Sequence, residues 1–267
     1  MNNAPQINSF VVVGAGRAAT QLAIALKNNG FQILQILGRS FESTKILADK
    51  IGCPFTIDSK QIRKDADACL ISVPDESFVG IVKKLYMPYS IVMHTSGTMP
   101  LDSLKNISDS HGVLYPLQTM TLQCISDFSS VPLLIEGSDI ETQNKIKSVA
   151  EILSDNVIEM NSAKRAVLHV AAVIACNFTN HLFAKSYEWC AQNKIDFSVL
   201  MPLIRQTCEN ATRNNPSTFQ TGPAVRGDES VIAEHLHMLE ANPELRELYA
   251  FLTNSIINDQ KKSDEKL

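Results

Sequence analysis

Val11-Val12-Val13-Gly14-Ala15-Gly16-Arg17-Ala18-Ala19 is a β-branched run that enters a G-x-G-x-x-A loop and then a helical pattern. In such a loop the first glycine permits the tight turn, the second lets a phosphate approach the backbone, and the closing alanine keeps the helix near the sheet. The helix start at Arg17-Ala18 offers free N–H groups and a positive dipole end to an anion. Alone the motif is common. At the first strand–helix junction of an alternating pattern, it predicts a dinucleotide pyrophosphate site on Gly14 to Ala19. About 20 residues further on, dinucleotide folds that take NAD place Asp or Glu for the ribose 2′-hydroxyl. Here the slot reads Gly38-Arg39-Ser40. A guanidinium beside a hydroxyl suits a 2′-phosphate, so NADP is favoured. The alternative is a plain surface arginine, with Glu42 taking the acidic role.

Two further strand ends carry polar turns. Ser72-Val73-Pro74-Asp75 would pass Val73 and Pro74 beneath the nicotinamide-side ribose, or Pro74 simply ends a strand. His94-Thr95-Ser96-Gly97-Thr98 closes another strand at the same edge. Thr95 would face the cofactor, Ser96 could hold a reacting polar group, and His94 and Gly97 would border the substrate, His94 as a possible proton donor; an ordinary polar loop is the bland reading. The G-x-S-x-G elbow of serine hydrolases is absent.

In the second half, His169 and Asn177 interrupt the apolar face of a long helical pattern. Eight residues at 3.6 per turn leave them about 80° apart, on one broad face. A histidine flanked by Val170, Ala171 and Ala172 is either a core residue bonded to a carbonyl or to Asn177, or a proton donor aimed into a cleft. Thr221 to Asp228 is a dense turn signal holding Arg226 and Asp228. Asp228 reads as a helix cap, and Arg226 as a clamp for an anionic substrate. His235 and His237 are two apart and lack a third ligand, so no metal site is expected.

The elements that must position these residues fall into two textures. Continuously apolar runs (Phe10–Val13, Phe31–Leu37, Ala68–Val73, Ile91–His94, Gly112–Leu114, Pro132–Ile135, Asn156–Met160) alternate with helical patterns up to residue 160. This predicts an α/β Rossmann-like domain, residues 1–160, with a parallel sheet covered on both faces. From Ser162 the pattern is all-helical, with one helix to about Cys190 and others around 196–214, 229–239 and 243–257. Residues 161–267 therefore read as an all-α C-terminal domain with a frayed polar tail, and substrate is expected between the two domains.

The 267 residues carry a net charge of −4 with 45% hydrophobic and 19% charged side chains, values that exclude a disordered chain and argue against a nucleic-acid partner. Six scattered cysteines (Cys53, Cys69, Cys124, Cys176, Cys190, Cys208) without C-x-x-C predict reduced, buried thiols in a cytoplasmic protein. Residues 1–9 lack the marks of a signal peptide, and no uninterrupted 18-residue apolar run suggests a membrane span.

Taken together, Gly14-Ala15-Gly16, His94 to Gly97, Gly112 to Gln118 with its Pro-Leu-Gln, His169 to Asn177 and Thr221 to Asp228 resemble a bacterial NADP-oxidoreductase-like family. That family joins a Rossmann-like domain to a helical C-terminal domain of unknown function. More distantly the layout is similar to ketopantoate reductase, pyrroline-5-carboxylate reductase and β-hydroxyacid dehydrogenases. The resemblance implies NADPH, a small carbonyl, imine or hydroxy-acid substrate, and a homodimer paired through the helical domain. His169 would donate the proton, with Asn177 orienting substrate or imidazole. Two departures matter: Tyr115 stands where relatives often have histidine, bordering the substrate, and His169 occupies the region of the dehydrogenases' catalytic lysine. They motivate an alternative, a nucleotide-binding sensor without turnover; a deazaflavin-linked NADP reductase would share the cleft.

Overall fold

The computed structural model describes residues 7–121, 127–213 and 215–264. Eight strands form one sheet: β1 (Ser9–Val13), β2 (Gln32–Leu37), β3 (Phe55–Thr56), β4 (Ala68–Ile71), β5 (Ile91–His94), β6 (His111–Pro116), β7 (Leu133–Gly137) and β8 (Val157–Glu159), in the order β3-β2-β1-β4-β5-β6-β7-β8. Four helices alternate with them: α1 (Arg17–Asn28), α2 (Phe41–Ile51), α3 (Asp75–Val82) and α4 (Ile140–Leu153). Along β1 the side chains divide between two buried clusters. Phe10 and Val12 join Leu22, Leu70 and Met93, while Val11 and Val13 join Ile71, Phe78 and Val92. A strand buried on both faces has no polar side to present, which is why β1 reads as an unbroken apolar run. This is the Rossmann-like parallel sheet expected, followed by a helical region.

The pairing departs from the all-parallel expectation at one place. β6 and β7 are antiparallel, while the other neighbours are parallel. A parallel return needs a crossover helix, and among the described residues between these strands only the short turn Phe128–Ser130 is helical. β3 and α3 were not legible in the pattern: β3 has two residues, and α3 buries Phe78 fully and nothing else.

The chain divides into two compact units, residues 1–177 and 178–267. The composition changes near Asn161, but residues up to Asn177 belong to the unit of the sheet, so the boundary falls inside the long helix that starts at Ser162. It comprises α5 (Ser162–Ala172), a π-helical segment (Val173–Phe178) and α6 (Thr179–Gln192). Its N-terminal end is fastened to the sheet by Arg165, fully buried, whose Nη1 donates to Glu136 Oε2 at 2.7 Å. The second unit adds α7 (Met201–Arg213), α8 (Pro223–Arg226), α9 (Glu229–Met238) and α10 (Pro243–Asp264), with no strand among its described residues. α10 outlasts its expected end near 257, so the polar tail is helical through Asp264; Lys261 and Lys262 in its last turn suit the negative end of the helix dipole.

Two other expectations change. Cys69 and Cys190 are buried and Cys53 half-buried, but Cys176 and Cys208 are exposed, being on outward positions of their helices; Cys124 lies outside the described residues. Burial pushes the Cys69 thiol up to about 12. The helix Ser162–Gln192 contains an 18-residue window of mean hydropathy 1.4, none of it buried, so by length and composition it could cross a membrane. A continuous apolar run is therefore not the right criterion. Isolated polar residues such as Asn177 interrupt the run without lowering the average far. Its first turns, however, are anchored to the sheet.

Candidate functional site at the carboxyl edge of the sheet

The strands β1, β4 and β5 end side by side, and the turns beyond them build the site. Gly14 has φ +122° and a Cβ there would lie 2.0 Å from the Ser72 carbonyl oxygen. Glycine is thus required twice, by conformation and by space. The Ser72 N–H donates to the Val13 carbonyl at 2.8 Å, and the Gly14 N–H to the Leu37 carbonyl at 2.7 Å, so three strands fix the turn. Ala19 is fully buried, and the Gly14 Cβ position lies 3.4 Å from its own Cβ; α1 could come no closer with a larger residue. A Cβ at Gly16 would meet nothing within 4 Å. Gly16 is also the N-cap of α1, with no side chain capping the first turn. Backbone N–H groups of Arg17, Ala18 and Ala19 therefore face a space that an anion can enter.

This turn borders a cavity of about 460 Å³ that extends past Ala15, Val73 and Pro74 to Arg39, Ser40, Ser43, Ser59 and Lys84. Arg39 makes no ion pair among the described residues, and Glu42 is not part of the cavity wall. Gly38 precedes them because a Cβ there would sit 1.9 Å from Thr44 Oγ1. Thr44 in turn donates to the Ser40 carbonyl at 2.5 Å. Ser43, Ser59 and Lys84 were not anticipated. Ser43 lies one helical turn beyond Arg39 and could have been found by that spacing; Lys84 follows the unread helix α3. A cavity with a glycine-lined cradle at one end and cations with hydroxyls at the other fits a nicotinamide dinucleotide.

Beyond the cavity, Thr95 Oγ1 donates to Ser72 Oγ at 3.0 Å, joining β4 and β5. Ser96 Oγ accepts from the N–H groups of Thr98 at 3.1 Å and Met99 at 3.0 Å, so its oxygen closes the turn. The Thr98 hydroxyl bonds the Asp75 carboxylate. His94 does not line an open site. It is fully buried with its ring edge-on to Phe78, and its Nδ1 accepts the Ser96 N–H at 3.2 Å. Burial first, then the charge of Arg165, pushes its pKa down to about 3, opposed by the Pro100 carbonyl and Asp75. An enclosed imidazole that stays neutral at pH 7 borders no open site and has no imidazolium proton to give, which corrects the role expected of it.

His169 takes the place over this turn. A Cβ at Gly97 would fall 2.5 Å from His169 Nδ1 and 2.6 Å from Cγ, so the ring rests on the glycine backbone. On its other flank Nδ1 is 2.9 Å from the Tyr115 hydroxyl, with the two rings at 72°. Burial pushes the Tyr115 phenol up from its ordinary range, with Arg165 opposing. One turn before His169, Arg165 also donates from Nη2 to the Met99 carbonyl at 2.5 Å and to Ser162 Oγ at 3.2 Å. The Ser162 hydroxyl donates to Glu136 Oε2 at 2.7 Å and accepts the Leu101 N–H at 2.9 Å. Arg165, Glu136 and Ser162 were missed. The available signal was an arginine four residues before the histidine on one helix face.

Among the described residues, the remaining expected ones make no hydrogen bond to this group. Asn177 is exposed within the π segment, whose wider turns carry it off the ideal 3.6-residue spiral. Arg226 and Asp228 belong to the second unit and bond each other at 2.8 Å. Asp228 sits at the N-cap position of α9 without a side-chain cap bond, because its carboxylate is engaged by Arg226. Among the described residues no three of His, Cys, Asp and Glu gather as metal ligands.

Residues 3–119 match the Rossmann-like domain and residues 131–256 match DUF2520, a domain of unknown function. A Bacteroides fragilis protein, named "putative NADP oxidoreductase", is 37% identical, with coverage of 94% of this chain and 98% of that one and a TM-score of 0.88. The chain belongs to this Rossmann-like/DUF2520 family. A Thermotoga maritima protein follows at 22% identity and TM-score 0.67, covering 96% of this chain and 99% of that one. Pyrroline-5-carboxylate reductase from Streptococcus pyogenes has 13% identity and TM-score 0.60, covering 95% and 98%. These two share the fold of the chain. No curated protein matches it.

Proposed function

We propose that the protein is an NADP-dependent oxidoreductase that moves hydride to or from a small polar carbonyl, imine or hydroxy acid. The observation that carries this reading is the continuity of the sheet edge. Gly14 abuts Ser72, Ser72 bonds Thr95, and two residues on, Gly97 seats the His169 ring. The cofactor cradle and half-buried His169 thus share a single line of turns. The name and 37% identity of the Bacteroides fragilis relative favour the same reading.

In this reading Gly14 to Ala19 hold the pyrophosphate, and Arg39, Ser40 and Ser43, joined by Lys84, hold the 2′-phosphate. Val73, Pro74 and Thr95 border the nicotinamide-side ribose. The bound nicotinamide supplies or accepts the hydride. His169 offers a proton or hydrogen bond to the substrate heteroatom, with Gly97 and Tyr115 beside it and the Ser96 hydroxyl proton available as a second donor. Arg226 and Asp228, paired with each other, have no assigned contact. The exposed stripe Val167, Val170 and Ile174 on α5 and the π segment suits a second copy of the chain, hence a homodimer.

Thermal shift with NADPH, NADH and neither tests the cofactor assignment, since a ligand stabilises in proportion to the logarithm of its concentration over Kd. NADPH is expected to raise Tm more than NADH, and Arg39→Ala to remove the difference. No rise with either nucleotide, or a preference for NADH, refutes it. Oxidation of NADPH with a panel of keto acids and imines then tests turnover.

A further inference from the structure

We propose that Tyr115 is the positioning residue for His169: its phenolic O–H donates to Nδ1 and thereby keeps the imidazole proton on Nε2. The purpose of this arrangement rests on the oxidoreductase reading; its geometry does not. The Tyr115 oxygen is 2.9 Å from Nδ1, a full-strength distance for this pair. The Nδ1 edge of the ring is also the one closed by the Gly97 backbone. The Tyr115 ring is partly buried, and His169 is its described hydrogen-bond partner.

The direction proposed for the bond is the one that uses the phenol's own proton. A phenol ionises near 10, roughly three units above neutrality, and burial raises that of Tyr115 further. The oxygen therefore carries a proton at pH 7. Neutral imidazole has one N–H and one lone pair. When its lone pair at Nδ1 accepts from the phenol, the N–H is on Nε2, at the far side of the ring from the helix backbone. The Arg165–Glu136 pair holds the helix, but a helix fixes only the Cα–Cβ direction. Rotation and tautomer of the ring are left to Tyr115 and Gly97. The orienting role expected of Asn177 is filled by Tyr115. A neutral His169 then presents a fixed N–H donor, the polarity needed to polarise a carbonyl or imine.

The test uses the full-length protein labelled with ¹⁵N in histidine, without nucleotide or substrate. At pH 8, long-range ¹H–¹⁵N spectra show which nitrogen of each ring carries the proton. The His169 resonances are assigned by their loss in His169→Gln. The expected wild-type result is one tautomer with Nε2 protonated and Nδ1 shifted toward the hydrogen-bonded range. In Tyr115→Phe the second tautomer mixes in by fast exchange, so the Nδ1 and Nε2 resonances move toward each other. His235, whose Nδ1 lies 2.8 Å from the Tyr249 hydroxyl, is a built-in reference that should not move. A proton on Nδ1 in the wild type, or an Nδ1 resonance unmoved by Tyr115→Phe, overturns the proposal. If the variant does not fold, the wild-type spectrum alone decides. Because no cofactor is used, failure here is separable from failure of the NADP assignment, which the thermal shifts decide.

Discussion

Buried His94 should make the first unit lose stability in acid over a window that its environment sets. In the folded chain its pKa is about 3, against 6.5 for an ordinary histidine. Between those values the unfolded chain takes up a proton that the folded chain refuses. Stability therefore falls as pH drops through 6.5 and goes on falling toward 3; above 6.5 the residue contributes nothing to the pH dependence. Each pH unit inside the window costs about 1.4 kcal/mol, so lowering pH from 7.5 to 5 should cost about 2 kcal/mol from this group alone. Urea unfolding followed by circular dichroism at the two pH values, in wild type and in His94→Gln, isolates the effect. The variant loses the Phe78 edge contact and is less stable at both pH values, but its loss on acidification should be smaller than that of wild type by about 2 kcal/mol. Equal losses in the two proteins would show that His94 protonates as easily folded as unfolded, and the argument from burial would be wrong.

Gly14→Ala should abolish nucleotide-induced stabilisation and lower Tm, because its Cβ would overlap the Ser72 carbonyl at 2.0 Å; a retained NADPH shift would remove the cradle from the argument. Arg165→Met should cost about 3–5 kcal/mol by leaving Glu136 without its partner, whereas Arg165→Met with Glu136→Gln should recover part of the loss. Urea midpoints check both, and a single-variant loss under about 1 kcal/mol would make the pair incidental. Val170→Glu, at a position 58% exposed, should convert a dimer to monomers in light scattering coupled to size exclusion. A monomeric wild type would refute the proposed pairing.

The dinucleotide cradle was legible because backbone demands are written directly in glycine. Gly14 and Gly16 are where a turn and an approach require them, and Arg39 follows at the spacing set by one strand–helix–strand unit. His169 was legible as a polar break in an apolar helix face. Its partner was not. Tyr115 is 54 residues away, and nothing local announces a contact made through the sheet. His94 misled for the opposite reason: a histidine at a strand end looks available, and only three-dimensional packing against Phe78 and Arg165 shows it enclosed. The antiparallel β7 and the short β3 escaped because they depend on pairing partners more than on periodicity. The 3.6-residue ruler used to place Asn177 does not hold across a π segment.

Gly97 joins the strand ends to the helix without a side chain between them. Where two larger residues would slide or repack, a ring set against bare peptide leaves no space for even a methyl group. Any ligand that shifts the turn after β5 must push on the imidazole, and any tilt of the imidazole must be felt at that turn. The contact thus ties the turn after β5 to the helix that carries His169.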